Sequence, residues 1–366
     1  HILIAELPFF YGYLPESMAD FRRNACNTLG WREGGLWVWH PAGEKHVGLG
    51  KDGDHTLGQA ARNVFVTLRA ARMTGDRDLA AQALDAMKQM ERYEIPRGAQ
   101  MWECPLYQPD ILAAAYAIRA YTEAYRITND ASYLGYARYW AWTGLPFLYL
   151  WELEGYPTML YNVISVIGST FFTYSWIGLP VVWCGQVYAY ALQDLAEFDN
   201  SFDWPRIAEG INHSAMWQQY ADGPSKGCYP DSWNMVKNSP NPADINPENI
   251  LVNEFRLKGP SPHIRFARFD GDSGPILLNS AADLVRPHRT DDGAIRFGVE
   301  AAPGFPVHTM LAPVPEPRRV EGAAKRVADS NALMNVSTGW QYDGELEAVV
   351  LKHTPEAQPV DCAIHW

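Results

Sequence analysis

The stretch RMTGDRDL at 72–79 returns as RITNDASYL at 126–134, with Thr74 falling on Thr128. This repeat restricts the fold more than any other feature of the chain. Carried back by the same 54-residue step, a helix beginning near His55 has its counterpart near Pro109. There QPDILAAAYAI sets a proline in the first turn with an aspartate beside it, a standard helix start. Each unit therefore reads as an outgoing helix (about 55–73 and 109–127), a tight turn at Gly75 or Asn129, and a returning helix (about 77–93 and 131–150). Further copies read at 181–197 with 204–221, and a partial one at 17–29.

Such hairpins cannot bury their apolar faces alone, so they stack into a solenoid or close into a ring. The connections 94–108, 151–180 and 222–250 are long and irregular, which favours a ring of inner and outer helices whose loops carry function. Beyond about Pro260 the texture changes to HIRFARF, PILL, AIRFGV and ELEAVVL between Pro, Gly and Asp, the signature of antiparallel strands and turns. The expected organisation is a helical domain over 1–255 and a β-rich domain over 256–366.

Composition narrows the partners. A formal charge of −12 argues against a nucleic-acid binder, which needs Lys and Arg to neutralise phosphates. Five scattered cysteines form neither a disulfide framework nor a paired metal motif. The segment from Gly155 to Gln193 has no charged residue, yet Pro157, Asn162, Gly168, Gly178, Pro180 and Gln186 interrupt it, so it reads as buried interior and not as a membrane span. The opening HILI has no initiator Met and no basic-flanked leader, so the N-terminus reads as trimmed.

If the outgoing helices run parallel, the loops 40–55, 94–110, 151–180 and 222–235 meet on one rim and the short turns lie on the other face. That rim gathers titratable and aromatic residues where helix N-termini offer partial positive charge and free amides. Glu103, among apolar and aromatic neighbours in MWECPLY, suits a carboxyl whose pKa rises by desolvation, as a general acid requires. Asp54, His55 and Asp231 are the other catalytic candidates. Asp54 comes from the glycine-jointed loop GLGKDGDHTLGQ, and Asp231 follows a glycine and a proline that fix its loop. Asp54 and Asp110 also suit capping, Asp231 an ordinary turn, and His55 a first-turn position with no chemistry. Asp52, Trp102, Tyr107, Tyr161, Tyr174, Trp176 and Trp233 are candidates for substrate binding. The 14 Trp and 19 Tyr supply flat rings that stack on sugar faces, although most must pack between helices. His40 and His46 lack the spacing of a metal site, and no metal or other cofactor is expected.

The paired RxTxDxxxL-type turns, the WECPLYQPDIL opening of an inner helix and the helices-then-strands order resemble the α/α-toroid, or six-hairpin glycosidase-like, superfamily over about residues 15–235. Three and a half hairpins are legible, fewer than a closed six-hairpin ring holds. The resemblance implies a mainly α fold with a C-terminal antiparallel sheet or sandwich, and a cleft at the N-terminal ends of the inner helices acting on oligo- or polysaccharide. Hydrolysis would use Glu103 as acid and Asp54 or Asp231 as base. β-Elimination on uronic acids would use Tyr161, Asn162, His55 and Tyr174. A sugar isomerase or epimerase, or a non-enzymatic binding module, are the remaining readings. Net acidity favours hydrolysis.

Overall fold

A computed structural model describes residues 6–156, 159–168, 178–259, 263–323, 325–355 and 359–366. After a short α1 (Pro8–Tyr11), the helical region comprises α2 (Leu14–Gly30), α3 (Leu57–Thr74), α4 (Arg77–Met87), α5 (Ile111–Thr128), α6 (Ser132–Gly144), α7 (Val182–Ala196), α8 (Trp204–Trp217) and α9 (Glu248–Lys258). The repeat is visible in its caps. Thr56 and Asp110 accept amides at the starts of α3 and α5, and Gly75 and Asn129 end them in the left-handed conformation at φ +73° and +61°. Asp76 then caps α4 by accepting from the Leu79 amide at 2.8 Å.

Helix α3 packs on α2, α4 and α5, α5 on α6 and α7, and α7 on α8 and α9. The helices thus form an arc, with α3, α5, α7 and α9 outgoing and α2, α4, α6 and α8 returning. The described helices amount to three complete hairpins flanked by two half-units. They make part of a toroid, and the main contacts join neighbours along the arc without closing it.

Two elements differ from the sequence expectation. The connection 222–250 holds an antiparallel hairpin, β1 (Tyr229–Asn234) with β2 (Ser239–Ile245), and the first residues of α9. No side chain caps α9, and half of its LVNEFRLK stretch is polar or charged. Its helicity comes from packing on α7 and α8, which local pattern does not display.

The C-terminal strands are β3 (Arg265–Gly271), β4 (Gly274–Ser280), β5 (Asp283–Arg289), β6 (Ile295–Glu300), β7 (Val307–Ala312), β8 (Arg319–Glu321), β9 (Gly339–Asp343), β10 (Ala348–His353) and β11 (Val360–His365), with the short helix α10 (Ser330–Met334) before β9. They form a five-stranded sheet, β3-β4-β7-β10-β9, and a four-stranded sheet, β5-β6-β11-β8, antiparallel throughout. Val349 and Leu351 point between the sheets, while Ala348 and Val350 face Phe9, Met18 and Met73 of the helical region. Burial on both faces explains why β10 lacks polar alternation.

The sheet covers the short-turn end of the arc. A Cβ on Gly75 would lie 2.5 Å from the Ala312 carbonyl carbon and the Pro313 nitrogen, and Arg268 Nε donates to the Ile127 carbonyl at 3.0 Å. A buried ion network seals this end. Asp194 of α7 accepts from Arg119 of α5 (2.9 Å) and Arg256 of α9 (2.8 Å), and Arg72 joins Glu123 (2.6 Å) while also bonding Asn279 of β4. A hollow of about 650 Å³ lies here, but its charged walls are largely paired with one another.

Candidate active site

The four long loops do meet at the opposite end. Single bridges tie Arg97 to Pro109, Asp110 to Val166, Ile164 to Pro180 and Val181 to Ser232. The Leu106 amide donates to the Leu49 carbonyl at 2.8 Å, and the Trp233 amide to Pro180 at 3.0 Å. A patchwork of strand-like bridges therefore holds the starts of α3, α5 and α7 and the β1–β2 hairpin in one rim.

Glu103 stands in this rim, half-buried, on the loop before α5. The Trp102 indole N–H donates to its Oε1 at 3.3 Å. Asp231 of β1 accepts from the Trp183 indole at 3.1 Å. Trp102 and Trp183 themselves lie side by side, centroids 6.2 Å apart and planes tilted by 31°. The result is two carboxylic groups, each held by one indole of a neighbouring pair. Desolvation raises the pKa of both. Glu103 is raised further by the charge of Asp231 and eased back by Lys45. Once Asp231 has ionised, Glu103 holds its proton to higher pH.

The loop that carries Glu103 is fixed from below. Asp110 is buried, and it accepts the Ala99 and Gln100 amides at 2.9 and 2.8 Å, the Gln100 side chain at 3.1 Å and the Leu112 amide at 2.9 Å. The Gln100 carbonyl in turn accepts the Glu103 and Cys104 amides. Asp110 is thus a cap and an anchor. The buried Cys104 and Cys184 have pKa values pushed upward by desolvation and remain thiols.

Other candidates fall in separate places. Asp54 accepts the Lys51 amide at 2.7 Å and the Tyr107 hydroxyl, so its carboxylate is engaged away from the indole pair. Asp52 is exposed and contacts His40 Nδ1 at 2.6 Å, while His40 Nε2 contacts Glu33 at 2.7 Å. These partners raise the pKa of His40. Exposed His55 contacts the Tyr93 hydroxyl through Nδ1 at 2.8 Å. The Tyr161 ring lies over Gly210 of α8, partly buried against the helical core. The Trp233 indole donates to Asn238 within the β1–β2 hairpin at 3.1 Å. Tyr174 and Trp176 lie outside the described residues. Trp102, beside Glu103, is 47% exposed.

Sequence reasoning did not single out Trp183. The available signal was its position in the first turn of the third outgoing helix, at the same level as the loop before the second. Among the described residues, no group of three His, Cys, Asp or Glu side chains is arranged to hold a metal ion, and no helix is long and apolar enough to cross a membrane.

No protein-family model and no curated protein matches the chain. Similar solved structures include an unsaturated glucuronyl hydrolase from Bacillus sp. GL1, described as responsible for glycosaminoglycan degradation. It is 15% identical over 70% of this chain and 72% of that one, with a TM-score of 0.49. A family 76 α-mannanase from Bacteroides thetaiotaomicron is 12% identical over 68% and 62%, with a TM-score of 0.40. A sugar epimerase from a ruminal bacterium is 13% identical over 66% and 67%, with a TM-score of 0.42. Likenesses of this size assign no activity, so function is argued from the site.

Proposed function

We propose that this protein is a glycoside hydrolase acting on oligo- or polysaccharide, with Glu103 as general acid and Asp231 as the partner carboxylate. The observation that carries the reading is the coupled pair itself: two carboxyls with raised pKa values, each bonded to an indole of the Trp102–Trp183 pair. Glycosidic cleavage needs one protonated and one ionised carboxyl, and the field of Asp231 on Glu103 separates them. Glu103 delivers its proton to the leaving oxygen as the C1–O bond breaks. Asp231 supplies the negative charge that activates water or meets the anomeric carbon. The exposed Trp102 indole stacks on a sugar ring, and its π-cloud favours the positive charge that develops there.

Of the two bases open from the sequence, Asp54 and Asp231, this assignment takes Asp231, the carboxylate whose charge raises the pKa of Glu103. The β-elimination set is not assembled among the described residues. Tyr161 packs on Gly210, and Asn162 is buried with its side-chain oxygen on the Val163 amide. The test is incubation with neutral and uronic-acid polysaccharides, following reducing ends and the ultraviolet absorbance of unsaturated uronates together. Reducing ends without that absorbance are expected. Absorbance rising in step with reducing ends would replace hydrolysis by elimination.

A further inference from the structure

We propose that the substrate strand is a neutral polysaccharide that continues beyond the rim onto the outer wall of the arc, along Tyr107, Tyr93, Tyr139 and Tyr136. This deepens the carbohydrate reading above and rests on it. Two hollows mark the path. One, of about 290 Å³, is lined by Tyr107, His55, Tyr93 and Glu94, with Arg92 and Arg97 also in its wall. The other, of about 580 Å³, is lined by Tyr93, Glu94, Gly135, Tyr136 and Tyr139, over Tyr121 and Trp140. Tyr93 and Glu94 line both, so the hollows adjoin. Tyr107 stands on the loop that carries Trp102 and Glu103, which makes the path continuous with the candidate site.

The rings are open and already placed. Tyr107, Tyr139 and Tyr136 are 53%, 46% and 44% exposed. The Tyr139 hydroxyl donates to the Glu94 carbonyl at 2.7 Å, the Tyr93 hydroxyl contacts His55, and Tyr136 stacks on buried Tyr121 at 4.9 Å and 15°. Rings fixed before binding lose little freedom when a ligand arrives. Gly135 adds an independent sign. It sits inside α6, where alanine would be the better helix former, and a Cβ there would meet nothing within 4 Å. Packing within the protein does not require this glycine, and its missing side chain keeps the hollow open.

Charge selects the occupant at the outer hollow, since in the inner one Arg92 and Arg97 offset Glu94. Glu91 and Glu94 line the outer hollow, with no Lys, Arg or His. An anionic strand is disfavoured there, whereas sugar hydroxyls can donate to the carboxylates while the rings cover the apolar sugar faces.

The test is affinity electrophoresis of the whole protein through gels containing a soluble β-glucan, a galactomannan, a xylan or, as the anionic control, polygalacturonate. Retardation by at least one neutral polymer and none by polygalacturonate is expected. Gly135→Leu, which fills the hollow with a better helix former, and Tyr139→Ala should each weaken retardation at least five-fold. On the retained polymer kcat/KM should fall five-fold or more in both variants, against less than two-fold on a trisaccharide. Equal retardation of wild type and both variants, or no retardation by any neutral polymer, overturns the proposal. Glu103→Gln separates the two readings: it should be retarded like wild type, so the groove is read even where turnover is absent.

Discussion

At the scale of single residues, the account depends on how two carboxyls are kept in different protonation states. Burial raises both, and the indole bonds oppose that shift by favouring the charged forms. Activity should therefore rise with pH as Asp231 ionises and fall as Glu103 loses its proton, giving a bell whose limbs are each shifted upward from that group's ordinary value. Trp183→Phe removes the donor to Asp231, raises its pKa, and should move the acidic limb to higher pH. Trp102→Phe should move the alkaline limb upward by the same reasoning. A pH profile of kcat/KM for each variant checks the signs, and limbs that stay in place would detach the indoles from the chemistry.

Glu103 was legible because its sequence neighbours are themselves apolar, so desolvation could be read locally. Asp231 was legible only as one of two partners for it. The choice between Asp54 and Asp231 depends on which loop β1 brings beside Trp183, a long-range fact that no window of sequence contains. The placement of Tyr161 has the same origin, since the groove at Gly210 that receives its ring belongs to a helix about 50 residues away.

Among elements, the repeat gave the outgoing helices to within two residues because both its turns need a left-handed residue at one place, whereas the returning α4 and α6 end at Met87 and Gly144, six residues short of the expected 93 and 150. The two turns are not equivalent. Gly75 has φ +73° and is pressed against Ala312 and Pro313, whereas Asn129 at φ +61° sits at a turn without that contact. Gly75→Ala should destabilise the protein by about 1–3 kcal/mol through strain at that backbone position, with the clash added. Asn129→Gly should stay within about 0.5 kcal/mol, the scale of an uncritical surface change. Urea unfolding of both variants tests the contrast, and equal costs would contradict it. The outgoing helices are also aligned by a ladder that sequence does not show. Arg119 lies over Phe65 (4.1 Å) and Tyr190 (5.1 Å), and Arg256 lies over Tyr190 (4.5 Å), linking α3, α5, α7 and α9. Its arginines lie in helices far apart in sequence, so composition reported them only as charge.

Across the whole molecule, the sheets close one end of the arc and leave the other to the rim, and buried charge maintains that closure. Arg119, Arg126 and Arg256 hold Asp194 far below the usual carboxylate range despite its burial. Its stabilising contribution is complete above the unfolded carboxylate pKa and is lost as pH falls below about 4. Asp194→Asn leaves buried guanidinium groups short of a counter-charge and should cost about 3–5 kcal/mol. His308 and His353, buried in the five-stranded sheet, are both pushed down to about 4 by desolvation. Unfolded histidines take up protons from about pH 6.5, so stability should already fall between about pH 6.5 and 4 before the carboxylates are reached. Melting temperature measured against pH should show this early decline, and a flat curve over that interval would contradict it.

The central claim is that Glu103 and Asp231 act as one unit on a glycosidic bond. Its most direct test is kcat/KM for Glu103→Gln, Asp231→Asn and the double variant on whichever saccharide the wild type cleaves, with folding checked by melting temperature. Each single variant should lose about 10²–10⁴-fold, and the double variant little more than the worse single, as expected of groups that work together. Near-wild-type turnover in either single variant, with the fold intact, would contradict the account.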